Sequence, residues 1–215
     1  MSVAIRPDPA RTAPEPAHRA AVALARGGAL GLLLTLVGCS SHPPLPTVEG
    51  LELERFMGDW YVQAHIPVGS EKKAFNGVES YALGDDGRVL TSYVFRKGGF
   101  DGELEVMEPV GFPSEASTAV WGMRFIWPFK AEYLVAHIDA DYSETIIART
   151  KRDYAWIMTR EPQISEQRLA ALTQKLVELG YDASELRRVP QRWPDAEHPV
   201  TQAAGSLATY TRAAD

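Results

Sequence analysis

Val78-Glu79-Ser80-Tyr81-Ala82-Leu83-Gly84-Asp85-Asp86-Gly87-Arg88-Val89-Leu90-Thr91-Ser92-Tyr93-Val94-Phe95-Arg96 is the stretch on which the reading of the whole chain turns. Val78–Leu83 and Val89–Arg96 are two runs of strand length rich in β-branched and aromatic residues, and Gly84-Asp85-Asp86-Gly87 lies between them. Glycine and aspartate tolerate the backbone angles of a tight reversal, so the spacing and composition define a β-hairpin.

The same grammar repeats on either side. Trp60–Ala64 precedes the hairpin. After the break Lys97-Gly98-Gly99 comes a run ending at Pro109, then Ala119–Trp127 before Pro128, and Tyr133–Ile138 before Asp139-Ala140-Asp141. Glu144–Arg149 and Tyr154–Thr159 flank Lys151-Arg152-Asp153. Eight candidate strands in about a hundred residues, with turn signals roughly every ten, predict an antiparallel sandwich or up-and-down barrel. One helix follows. Ser165 is its N-cap, Leu169, Leu172, Leu176 and Leu179 form one apolar stripe, and Gly180 stops it. A helix with one polar face belongs outside the barrel.

The chain has 215 residues, 45% hydrophobic and 23% charged, with a formal charge of −6. That is the balance of a folded domain, and an acidic surface argues against nucleic acid as a partner. A single cysteine excludes an intramolecular disulfide, a CxxC redox pair and a cysteine-rich zinc site. His65 and His137 are the histidines of the barrel segment, and no HxH or HExxH spacing accompanies them, so neither a metal nor another cofactor is expected. No Ser–His–Asp spacing or glycine-rich phosphate loop is present either.

The lone cysteine closes an apolar run. Gly27–Gly38 is twelve residues long, too short to span a bilayer as a helix, and follows Arg11, Arg19 and Arg26. Leu36-Val37-Gly38-Cys39 resembles a bacterial lipobox. The resemblance implies cleavage before Cys39 and lipidation of that residue, and Ser40 after it favours the outer membrane of the cell envelope. Residues 1–38 then form a signal peptide, 39–50 a proline-bearing tether, 51–191 the folded domain and 192–215 a flexible tail. Removing 1–38 takes away four basic and two acidic residues, which leaves a chain near −8.

Phe56-Met57-Gly58-Asp59-Trp60-Tyr61 resembles the Gly-x-Trp-Tyr opening motif of the lipocalins. Tyr154-Ala155-Trp156-Ile157-Met158-Thr159-Arg160 is similar to their last-strand motif, and Tyr133 through Asp139 to Tyr142 to the middle one. The helix and Gly180-Tyr181-Asp182 through Gln191 resemble the bacterial outer-membrane members. The resemblance implies an all-β fold: an eight-stranded antiparallel up-and-down barrel with one C-terminal helix outside. Gly58, Trp60 and Arg160 would serve structurally, the arginine stacked on the tryptophan at a closed end.

Alternation of side chains along a strand then sketches a pocket. Trp121, Met123, Phe125 and Trp127 share one face of their strand, as do Tyr154, Trp156 and Met158 of theirs. Tyr93 and Phe95, and Tyr133, Val135 and His137, face inward by the same rule, and Tyr81 joins them by family register. The expected ligand-binding set is Tyr81, Tyr93, Phe95, Trp121, Phe125, Trp127, Tyr133, His137 and Trp156. It suits a fatty acid or lysophospholipid, bound without catalysis by a protein that stores or transports it. Two other readings stand beside this one: an envelope enzyme acting on a lipophilic substrate through His137 and Tyr133, and a structural lipoprotein whose barrel is filled. Glu71-Lys72-Lys73 reads as a solvated loop, and a homodimer is left open.

Overall fold

The structure, a computed structural model, describes residues 42–193. The segment read as a signal peptide, Cys39 and the residues beyond Trp193 lie outside the described residues. Strands β1 (Gly58–Ile66), β2 (Ala74–Leu83), β3 (Val89–Lys97), β4 (Glu103–Met107), β5 (Val110–Ser114), β6 (Ser117–Ile126), β7 (Phe129–Ile138), β8 (Glu144–Ala148) and β9 (Ala155–Thr159) follow one another, and a two-residue β10 (Arg187–Arg188) comes late. β1 to β3 and β5 to β9 pair antiparallel in chain order, β4 and β5 both pair with β3, β10 pairs with β1, and β9 pairs back onto β1. That last ladder closes the sheet and removes its edges.

The expected eight-stranded barrel is present, with one stave in two pieces. β4 pairs with the second half of β3 and β5 with its start, and Glu108-Pro109 separates them. Proline has no amide to give a ladder. Its carbonyl instead accepts from the Thr91 amide at 3.2 Å and hydroxyl at 2.5 Å, so the break stays fixed to β3. The sequence reading ended this stave at Pro109, but it continues to Ser114.

Helix α2 (Glu166–Glu178) packs outside, as its stripe requires. The Ser165 side chain accepts from the Arg168 amide at 3.1 Å, and Gly180, at a φ of 87°, follows the last turn. Leu169, Leu172 and Leu176 join Ala64, Ile66, Ile146, Ala148 and Ile157 in a cluster on the outer wall. A second cluster fills the inside, with Trp60, Val62, Tyr81, Tyr93, Trp121, Val135, Ile147 and Trp156 among its members. Neighbouring residues on β7–β9 and β1 thus divide between two apolar layers, which is why these strands read as nearly continuous hydrophobic runs.

The tether, expected to be peripheral, and a late segment of the domain both belong to the wall. The tether lies against the barrel: Leu45 is buried in the outer cluster, the Val48 amide donates to the Val135 carbonyl at 3.0 Å, and Arg152 holds the Pro43 carbonyl at 2.6 Å. At the other terminus, residues 187–192 form a strap. β1 and β2 pair only over Gly58–Tyr61 and Val78–Tyr81, and beyond that β1 pairs with β10. The strap bridges the resulting gap through Val189 N–H to Gln63 O (2.9 Å) and Asn76 N–H to Pro190 O (2.9 Å). Gln191 Nε2 donates to Val62 O (2.8 Å) on one side and to Gly77 O (3.0 Å) on the other.

Candidate functional site

Gly58 opens β1 at a φ of 90°, where a side chain would be strained, and a Cβ there would stand 3.4 Å from Arg160 Nη1. The turn brings short helix α1 (Leu53–Phe56) across one end of the barrel. The Arg160 guanidinium sits 3.8 Å over the Trp60 ring and donates to the carbonyls of Arg55 (2.9 Å), Met57 (2.8 Å) and Asp59 (2.7 Å). Burial lowers its pKa to about 10, still well above neutrality. Trp60 Nε1 donates to Phe56 O at 2.8 Å. These contacts plug this end of the barrel.

Aromatic packing continues inward from that plug. Phe56 lies 5.3 Å from Tyr81 and 5.6 Å edge-on from Trp121, and Trp121 stacks on Tyr133 at 5.1 Å. Tyr133 reaches Trp156 at 6.0 Å, and the Tyr81 and Tyr133 hydroxyls share a 2.6 Å hydrogen bond. Burial raises both tyrosine pKa values well above 10, so they stay neutral. Tyr93 and Phe95, stacked at 5.0 Å, lie further along β3. Six of the nine residues of the expected ligand-binding set are therefore inside: Tyr81, expected from family register, and Tyr93, Phe95, Trp121, Tyr133 and Trp156, expected from alternation.

The other three are not. Phe125 lies within the register shift between Met123 and Ile126 and Trp127 beyond it, and they are 46% and 78% exposed at the tip of the β6–β7 turn. They extend the strand's parity beyond the barrel wall. His137 is turned by a bulge: β7 shifts register between Val135 and His137, so His137 pairs across from Ile146 on the outer face. Its Nε2 lies 3.5 Å from Glu144 Oε1, and Glu144 also binds Arg168 of α2. Burial, then Lys175, lowers its pKa, while Glu144 opposes the shift. Tyr133 and His137 thus occupy opposite faces and form no catalytic pair.

A matching bulge in β1 acts in the opposite sense. The register shifts between Val62 and Ala64, so Trp60 and Val62 point inward before it, whereas Ala64 and Ile66 join the outer cluster after it. His65, paired with Trp156, is left on the inside and fully buried. Its Nδ1 lies 3.6 Å from Glu71 Oε2, beyond hydrogen-bond range. Glu71 reaches inward from the 3₁₀ turn Gly69–Lys73 and is 3% exposed, while Lys72 and Lys73 beside it are exposed. The solvated-loop reading is right for the lysines and wrong for the glutamate.

Glu79 lies on the same inner face but nearer the plug, opposite Trp60. It pairs with Tyr93 across β2 and β3 on the inner face, and burial followed by the charge of Glu71 pushes its pKa up to about 8. Gly77 makes room for the Tyr93 hydroxyl, since a Cβ at residue 77 would lie 2.9 Å from that oxygen and 3.3 Å from Val189. Both ring nitrogens of His65, Glu71 Oε2, the Tyr93 hydroxyl and Trp156 Nε1 are buried with no hydrogen-bond partner among the described residues. The barrel interior is therefore graded, aromatic and filled near the plug, polar and unpaired in the opposite half. Sequence reading missed Glu79. The available signal was parity, because Glu79 shares the face of Tyr81.

A closed up-and-down barrel with one plugged end, an outer helix and an aromatic interior defines a class of small single-barrel β folds. Residues 51–191 match the family model of the lipocalin-like domain, and the chain belongs to that family. Temperature-induced lipocalin-1 of Arabidopsis thaliana is 33% identical over 156 residues, covering 68% of this chain and 83% of the relative. An outer membrane lipoprotein, Blc, of Citrobacter freundii is 28% identical over 163 residues, covering 73% and 90%. Among solved structures, the cockroach allergen Per a 4 superposes with a TM-score of 0.54 at 15% identity, covering 71% of this chain and 96% of the allergen. Insecticyanin of Manduca sexta gives 0.53 at 16% identity, covering 72% and 87%.

Proposed function

We propose that the protein is a lipid-anchored lipocalin of the bacterial envelope that binds a single-chain amphiphile inside its barrel, without catalysis, and stores or carries it. The amphiphile belongs to the fatty acid and lysophospholipid class. The observation that carries this reading is the set of unpartnered polar atoms on His65, Glu71, Tyr93 and Trp156. A buried polar group without a partner costs roughly 1–3 kcal/mol. Several together weigh against a barrel whose sole purpose is a filled core, and a bound polar group would satisfy them. Similarity to outer membrane lipoproteins and the lipobox at Cys39 support the anchored state. The enzymatic alternative loses its candidate pair, since Tyr133 faces inward and His137 outward.

Native mass spectrometry of the protein purified from bacterial cells, followed by denaturation and analysis of released lipid, tests the reading. A stoichiometric single-chain lipid is the expected result. A bare protein that also takes up no fluorescent long-chain probe would overturn it.

A further inference from the structure

Family membership leaves open which chemical group the polar half of the barrel receives, and the donors and acceptors in that half bear on it. His65, near the end of β1, lies between two ladders: it pairs with Arg187 of β10 on one side and with Trp156 of β9 on the other. Residues directly opposite in antiparallel strands share a face, so guanidinium, imidazole and indole form one row across three strands. The row faces inward. Trp156 belongs to the interior cluster, whereas in the neighbouring row Arg188–Ala64–Ile157 the last two join the outer cluster and Arg188 binds Glu166 of α2. The inward row is rich in donors. Trp156 Nε1 and both ring nitrogens of His65 are buried with no hydrogen-bond partner among the described residues. Arg187 gives Nη1 to the Ala74 carbonyl at 2.9 Å and acts electrostatically on the buried Tyr93 hydroxyl. The acceptor beside them, Glu71 Oε2, stands 3.6 Å from His65 Nδ1, out of hydrogen-bond reach.

Resting on the carrier function proposed above, we propose that Arg187, His65 and Trp156 form an internal site for the oxyanion end of a single-chain amphiphile, a carboxylate or a phosphate, in preference to an ammonium. An oxyanion accepts from indole, imidazole and guanidinium together, and the bond to a charged donor is the strongest of these. An ammonium has no lone pair for the indole or imidazole N–H and meets Arg187 as a like charge. Glu71 opposes the same oxyanion and so limits its affinity, while the formal charge of Arg187 offsets that of Glu71. Lys72 and Lys73, exposed on the rim turn that carries Glu71, steer an anionic end towards the opening. The strap gains a second role from this site. β2 leaves the ladder with β1 after Val78 and Tyr61, and β10 takes its place with Arg187 beside His65.

The test compares dodecanoate, dodecyl phosphate and dodecylamine, matched in chain length, by isothermal titration calorimetry below their micellar concentrations. The protein is the full chain carrying Cys39→Ala, which excludes covalent acyl groups. At least one anion is expected to bind at least about tenfold more tightly than the amine, as one charge-assisted contact would give. Whichever anion binds more tightly identifies the source, a fatty-acid carboxylate or a lysophospholipid phosphate. Trp156→Phe and Arg187→Gln should each weaken that anion by about tenfold and spare the amine, and Glu71→Gln should tighten it. Thermal melts show which variants are folded. A second readout needs no variant: the indole N–H NMR signal of Trp156 should move downfield with the anion and not with the amine. Equal or tighter amine binding, or an indole signal that the anion leaves in place, overturns the oxyanion site while leaving the carrier function intact. So does an anion affinity indifferent to both Trp156→Phe and Arg187→Gln. Failure of all three probes to bind overturns both.

Discussion

Glu79 shows how one side chain couples the interior to the stability of the fold. Its carboxyl is buried opposite Trp60 and Tyr93 and feels the charge of Glu71, and its pKa rises from an ordinary 4.5 to about 8. Between those values the folded protein holds a proton that the unfolded chain releases. Stability contributed by Glu79 is therefore complete below pH 4.5 and declines as pH rises towards 8. Glu79→Gln removes this dependence. Urea denaturation across about pH 5–8 should show the variant gaining on the parent with rising pH, by an amount on the order of a few kcal/mol at the alkaline end. Parallel pH profiles would rule the linkage out. The residue was hard to read in the sequence because a glutamate in an alternating strand looks like an outward position until the hairpin's inner face is identified. Trp60 and Arg160 were legible because ring and guanidinium are joined by a local, motif-length arrangement at each end of the barrel strands. The placement of His137 was not. Alternation holds only in an unbroken ladder, and one extra residue at Ala136 reverses the face of the residues after it.

Among the secondary-structure elements, the strands announce themselves through runs and turns, whereas the strap does not. Residues 187–192 have neither strand alternation nor helical period, and their place depends on a gap between β1 and β2 that exists only in three dimensions. Gln191 fills the role of a ladder, giving one side-chain amide to carbonyls on both strands. Asn76 does likewise with residue 192: its Nδ2 donates to Arg192 O at 2.9 Å and its Oδ1 accepts from the Arg192 amide at 2.8 Å. Gln191→Ala leaves two carbonyls without this donor and should destabilise the fold by about 1–3 kcal/mol in urea. Hydrogen exchange locates the effect. The Asn76 amide, bonded to Pro190 O, should lose protection in the variant while the β8–β9 ladder keeps its own. Unchanged protection at Asn76 would mean that β10 alone holds the strap. The broken stave follows the same logic, since a proline that ends a run in one dimension is bridged by Thr91 in three.

At the scale of the whole molecule, the two ends of the barrel differ, and the tether emerges at a defined one. Gly58, Tyr81, Ile138 and Thr159 mark the plugged end, while Ile66, Ala74, Phe129 and Ala155 mark the opposite rim, by strand direction and register. Arg152, in the β8–β9 turn at that rim, holds Pro43. Four peptide units link Cys39 to Pro43, a reach of at most about 14 Å. Phe125, Ile126, Trp127 and Phe129 form an exposed apolar group on the same rim, at the β6–β7 turn. If Cys39 carries the anchor, the rim holding the polar half of the interior faces the bilayer, and these side chains lie at the lipid surface. Trp127 reports on this directly, because it is 78% exposed, whereas Trp60, Trp121 and Trp156 are buried inside and Trp193 is half-buried against Tyr61 and Gln191. In proteoliposomes containing the lipidated protein, brominated acyl chains should quench a fraction of the tryptophan emission, and Trp127→Phe should abolish most of that quenching. Lipid-insensitive emission in the parent would place the rim away from the membrane. A ligand would then have to cross water to enter, and direct exchange between bilayer and barrel would be excluded.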